Sequence, residues 1–177
     1  MKKLSLIIMI AFLSLALVVS SFAMAPKEDK KAIILAQFGT SYPSALTAIT
    51  NIQKQVQKAF PDVTVKMAFT SYIIRNICHE RQNDKKFLKE NKNIPEEILH
   101  IKGPLATIAD LQDEGYSTII VQPTHVFEGE EYLDLKSCVN GLDAITAVRD
   151  RHKPFRKIVL GRPLLARLSR FFQAKFF

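Results

Sequence analysis

Ala32-Ile-Ile-Leu-Ala-Gln-Phe38 carries no charge and is followed at once by Gly39-Thr-Ser41 and then Pro43. A short unbroken apolar run of this kind marks a strand buried on both faces, which is the habit of parallel sheets. The glycine allows a tight turn, and proline suits the first turn of a helix. Leu46, Ile49, Ile52, Val56 and Phe60 then recur at three- to four-residue steps, so one helix face is apolar, and Pro61-Asp62 ends it. This β-turn-α unit sets the frame for the rest of the chain.

The pattern repeats downstream. Val63 to Phe69 reads as a second strand, and Tyr72 to Cys78 as the start of a short helix. His79 to Asn93 is polar and charged and reads as a surface excursion. Leu105, Ile108 and Leu111 mark a helix ended by Gly115, and Ser117 to Val121 a third strand. Leu135, Val139, Leu142, Ile145 and Val148 predict one long helix, Lys157 to Leu160 a fourth strand, and Arg162-Pro-Leu-Leu165 a final element. Strands alternating with helices imply βαβ units. The expected fold is α/β, an open four-stranded parallel sheet with helices on both faces.

The two ends differ from this body. Lys2 and Lys3, the apolar run Leu4 to Val19 and the small residues before Ala23 have the form of a secretory signal, with 1–23 as the leader and 24–177 as one α/β domain. Export implies a periplasmic or otherwise extracytoplasmic location. The net charge of +8 is concentrated after Asp150, where no acidic residue follows. There the basic residues are interleaved with Leu164, Leu165, Leu168, Phe171 and Phe172, so the tail reads as an amphipathic helix rather than a nucleic-acid surface. Cys78 and Cys138 lack any C-x-x-C neighbour and read as free, buried thiols.

Chemistry concentrates in Gln122-Pro-Thr-His-Val-Phe-Glu-Gly-Glu-Glu-Tyr132, immediately after the third strand. Ligands of open α/β sheets bind beyond the carboxyl ends of the strands. His125 is the leading residue, either as a contact to metal or substrate or as a helix-capping group. Glu128, Glu130 and Glu131 suit the N-terminus of the next helix, and Glu130 and Glu131 join His125 as metal-ligand candidates. Thr40 and Ser41 can present backbone N–H groups to a carboxylate, with Ser41 as a plain helix N-cap the alternative. Ser71 and Arg75 occupy the matching place after the second strand, where Arg75 can pair with a carboxylate. His79, His100 and His152 lie in charged or loop segments and read as surface residues, with haem ligation the exception.

Leu35-Ala-Gln-Phe-Gly-Thr-Ser41, Ala68-Phe-Thr-Ser-Tyr-Ile-Ile-Arg75, Gln122 to Tyr132 and Leu160-Gly-Arg-Pro-Leu-Leu165 together resemble the anaerobic sirohydrochlorin cobalt chelatases of cobalamin biosynthesis, the class II tetrapyrrole chelatases. The resemblance runs from about Lys31 to about Leu165. It implies insertion of Co²⁺, as substrate metal and without ATP or other cofactor, into a carboxylate-rich tetrapyrrole. Sirohydrochlorin is the expected partner and haem the alternative. Proteins of that family consist of two similar α/β halves facing one cleft, and this chain resembles the first. The family's catalytic histidines lie in the second half, expected beyond Phe177. At the pseudo-equivalent places this chain has Phe38 and Glu131. The resemblance thus implies a truncated member, inactive alone, that self-associates or needs a second half. An exported tetrapyrrole- or metal-binding protein without turnover is the other reading.

Overall fold

The computed structural model describes residues 29–163. The expected leader and the amphipathic tail from Leu164 onward lie outside them. Four strands, β1 (Lys30–Gln37), β2 (Thr64–Phe69), β3 (Tyr116–Pro123) and β4 (Lys157–Leu160), form one sheet in the order β2-β1-β3-β4. All three pairings are parallel. The helices are α1 (Pro43–Ala59), α2 (Tyr72–Glu80), α3 (Lys85–Glu90), α4 (Glu96–Leu99), α5 (Pro104–Asp113) and α6 (Glu130–Asp143), with 3-10 turns at Arg81–Asn83 and Asp150–His152.

Strand alternation sorts the core into two faces. Ala32, Ile34 and Ala36 of β1 join Ile119, Val121 and Ile158 beneath Ile108 and Leu111 of α5 and Leu135 and Val139 of α6. The intervening Ile33 and Leu35 turn to the other face with Val65 and Val56 of α1. Met67 and Phe69 continue that face with Leu46, Cys78, Ile98 and Ile101. The first crossover runs from β1 to β2, and the later ones run the opposite way, through β3 to β4. Right-handed crossovers therefore put α1 on one face and α5 and α6 on the other, which is the partition the packing shows. Over β3, the α1 face is thinly covered: Ile120 is 41% exposed.

Two sequence expectations change. The long helix through Val148 stops at Asp143, and Ile145 and Val148 are exposed. Their apolar spacing has no surface to pack on, and β-branched Thr146 and Val148 add little helical preference of their own. The polar stretch from His79 is on the surface but helical in part: Asp84 caps α3 by accepting from the Phe87 amide at 2.9 Å. It then returns to the core. His79 Nε2 donates to Ile101 O at 2.7 Å and Gln82 Nε2 to Leu99 O at 2.5 Å, pinning the segment that buries Ile98 and Ile101.

The carboxyl edge of the sheet is shaped by a glycine. Gly39 has φ 96°, and a Cβ there would lie 2.6 Å from the Phe69 ring. Positive φ and this close approach both demand glycine. Gly39→Ala should destabilise the fold by about 1–3 kcal/mol. Gly141, on α6 with open space around it, offers the contrast: Gly141→Ala should stabilise by about 0.5–1 kcal/mol. Urea unfolding of both variants checks the pair.

Candidate functional site

The carboxyl ends of β1 and β3 open into a cavity of about 400 Å³ on the α1 side of the sheet. Its floor is Gln37, Phe38 and Gly39, one wall is Ala48, Ile49 and Ile52 of α1, and the other is Thr124 to Phe127 with Gly129 and Glu131 at the start of α6. This is the rim where ligands of open α/β sheets collect. The Thr124 amide continues the ladder by donating to Ala36 O at 2.9 Å. The chain then turns His125 inward.

The state of His125 turns on one neighbouring hydroxyl. Its Nε2 lies 3.1 Å from Thr70 Oγ1, and the Thr70 hydroxyl donates its hydrogen to Gln37 O at 3.3 Å. With the hydroxyl hydrogen so placed, its oxygen can accept from Nε2–H, the tautomer that leaves a lone pair on Nδ1. That Nδ1 is buried and has no partner among the described residues. Burial pulls the His125 pKa below its ordinary value, and the nearby Glu131 carboxylate opposes the shift only in part. A neutral imidazole with a fixed tautomer and an unspent lone pair is a proton acceptor or a metal ligand.

The remaining candidates separate. Glu131 borders the same cavity as His125, whereas Glu130 is exposed and lines neither this cavity nor its neighbour. Among the described residues no three His, Cys, Asp or Glu side chains converge as a metal cage, so His125 and Glu131 form at most a two-ligand set. Thr40 and Ser41 both take part in structural hydrogen bonds. The Thr40 hydroxyl accepts from the Tyr42 amide at 3.1 Å, and Ser41 O accepts from Arg81. The N-cap of α1 is Tyr42, not Ser41. With Pro43 supplying no N–H, the expected anion cradle loses donors. Ser71 caps α2, accepting from the Ile74 amide, and is buried. Arg75 Nη1 donates to Phe69 O at 2.6 Å and Thr70 O at 2.9 Å. Its guanidinium also lies against Gly103, where a Cβ would meet it at 3.0 Å. Arg75 therefore braces the end of β2 before it can serve a ligand.

A second groove of about 790 Å³ lies between Arg75 and His79, the start of α5, and Glu131 to Cys138 of α6. Glu131 borders both cavities. His100 and His152 are exposed, as expected of surface residues, and His79 is exposed although its ring is hydrogen-bonded. Cys78 and Cys138 are free, and burial raises both thiol pKa values, which leaves them protonated and poorly nucleophilic. Sequence reasoning passed over Gln37, which is 2% exposed with its Nε2 unpartnered. A single amide inside an otherwise apolar strand was the available signal.

The His125 shift has a sign that can be tested. Unfolded, this histidine takes up its proton near 6.5; folded, it resists protonation to lower pH. Its contribution to stability is complete above that value and is lost as pH falls through it. From about pH 7.5 to about pH 5.5 the wild-type protein should lose more stability than His125→Gln. Paired urea titrations at the two pH values measure the difference.

Comparison with known proteins places the chain in a family. Residues 31–170 match the family model described as cobalt chelatase (CbiK). The chain is 28% identical over 138 residues to a sirohydrochlorin cobaltochelatase, CbiKC, of Nitratidesulfovibrio vulgaris (strain Hildenborough), covering 77% of this chain and 40% of that protein. It is 29% identical over 139 residues to a sirohydrochlorin cobaltochelatase of Salmonella typhimurium (strain LT2), covering 77% of this chain and 43% of that protein. The chain thus spans about two-fifths of the length of these relatives. A match across most of a parallel-sheet chain, with the histidine-bearing segment at its ligand rim, leads to one assignment: this chain belongs to the cobalt chelatase (CbiK) family.

Proposed function

We propose that this chain forms one wall of a cobalt-chelating cleft. In this reading it takes Co²⁺ at His125 Nδ1 with Glu131 alongside, and it holds one edge of sirohydrochlorin for insertion of the metal. The observation that carries the reading is the His125 Nδ1 atom, buried and unpartnered, with Nε2 held against the Thr70 hydroxyl. Imidazole nitrogen and carboxylate oxygen are good donors for a divalent transition metal. A carboxylate beside the metal can also accept a proton that leaves the pyrrole nitrogens. Two protein ligands do not complete a coordination sphere, so the other positions fall to solvent, to the ring, or to an opposite wall.

The cavity's size makes the opposite wall part of the proposal. About 400 Å³ is near the lower end for a drug-sized ligand, so a macrocycle would leave much of its surface outside. Phe38, Val126 and Phe127, all exposed, surround that opening. A second copy of this chain, apposed through these residues, is the proposed cover. The leader read from residues 1–23 sets this assembly outside the cytoplasm in the same proposal, and an intact mass beginning after Ala23 would check it.

Metal affinity tests the core of the reading. Equilibrium dialysis with Co²⁺ should show binding that His125→Ala abolishes. Thr70→Val, which frees the tautomer without touching the metal atom, should weaken it by about 10–100-fold. Equal binding by all three proteins would refute the site. With sirohydrochlorin present, the purified chain should form cobalt-sirohydrochlorin no faster than the uncatalysed mixture, as followed by absorbance. Light scattering should show a mass that rises with concentration and falls back to monomer in Val126→Glu. A monomer at every concentration would exclude a second copy as the cover.

A further inference from the structure

A buried amide without a partner sits at the floor of the cavity. Gln37 is 2% exposed, and its Nε2 meets no acceptor among the described residues. Its backbone carbonyl is already engaged by the Thr70 amide at 2.7 Å and hydroxyl at 3.3 Å. An unpaired N–H in an apolar interior opposes folding, and a methionine could fill similar space without that penalty. The amide shares the cavity with apolar Phe38, Ile49, Ile52 and Phe127, and with the His125 imidazole and the Glu131 carboxylate, neither of which it hydrogen-bonds. A group that enters the cavity can satisfy it.

We propose that Gln37 is a positioning residue that donates from Nε2 to a carboxyl oxygen on a side arm of the bound tetrapyrrole. The inference rests on reading this cavity as the tetrapyrrole cleft, and adds the group that sets which edge of the ring enters. A neutral donor suits the place. Glu131 borders the same cavity, and a lysine or arginine at position 37 would pair with that carboxylate and compete with the metal. The amide directs an oxygen without carrying charge of its own. The other source of an acceptor oxygen is a trapped water, which needs several polar partners to be held.

Sirohydrochlorin and Co²⁺ affinities measured separately on the full chain decide between these. Gln37→Met should bind sirohydrochlorin about three- to tenfold more weakly than wild type, with Co²⁺ affinity unchanged. A merely structural role would move both together. In the wild-type protein, the Gln37 side-chain amide signal in nitrogen-15 NMR should shift when sirohydrochlorin is added, a readout that needs no variant to fold. If wild type binds sirohydrochlorin while the variant binds equally well and the amide signal stays put, Gln37 holds only a water and the proposal is overturned, though the cleft stands. If wild type binds no sirohydrochlorin, either alone or with Co²⁺ present, the cleft reading fails and takes this inference with it.

Discussion

A single hydroxyl joins the carboxyl ends of three strands. Thr70 follows β2; its oxygen donates to Gln37 O at the end of β1 and receives the ring proton of His125, in the loop after β3. The parallel sheet makes this possible, because all of these strands finish on the same edge. An antiparallel sheet of the same strands would scatter them to opposite edges. The tautomer of His125 is therefore a consequence of topology as much as of the residues themselves. Replacing the hydroxyl would leave the imidazole in place and remove the reason for its proton to stay on Nε2.

The sheet also explains why one carboxylate borders two cavities. Since β1 is buried on both faces, α1 packs on one side and α5 and α6 on the other. α6 begins at the rim, directly after the His125 loop, so its first turn straddles the sheet edge. Glu131 takes the inward place of that turn and Glu130 the outward one. Carboxylates at a helix N-terminus are favoured by the helix dipole whether or not they bind anything. Both residues fit that bland role equally, and only the geometry separates them.

Much of this was legible beforehand. The apolar run at 32–38 announced a buried parallel strand, the shorter one at 158–160 a fourth strand, and the turn residues after them the rim. The segment Gln122 to Tyr132 pointed to the rim, where it lines the cavity, because ligands of open α/β sheets bind beyond the carboxyl ends of the strands. The candidates that separated away did so for reasons of hydrogen bonding that residue type does not reveal. Ser71 and Thr40 are polar and near the rim, and their oxygens also accept from the Ile74 and Tyr42 amides, so both take part in capping and turn bonds that residue type does not show. Arg75 reads as an anion binder until its guanidinium is seen holding the carbonyls of Phe69 and Thr70. Gln37 was hidden by the opposite error: an apolar context made a buried, unpartnered amide look like one more strand residue. The helix expected through Val148 failed because periodicity records which positions could face a partner, and says nothing of whether a partner is there.

The electrostatics of the cavity impose an order on binding under the proposed reading. Among the described residues no lysine or arginine lines it, and Glu131 does, so the empty cavity favours a cation and disfavours a polyanionic ring. A tetrapyrrole rich in carboxylates would meet repulsion and the cost of losing its hydration in an apolar pocket. A divalent ion at His125 and Glu131 reverses that sign, since a bound cation becomes the largest local charge and governs what may approach. Metal first and ring second is then the favourable sequence on this wall. His125 suits it: because burial holds the imidazole neutral, the metal need not displace a proton to bind at neutral pH, while Glu131 remains the nearby carboxylate able to take the proton that the ring must later release.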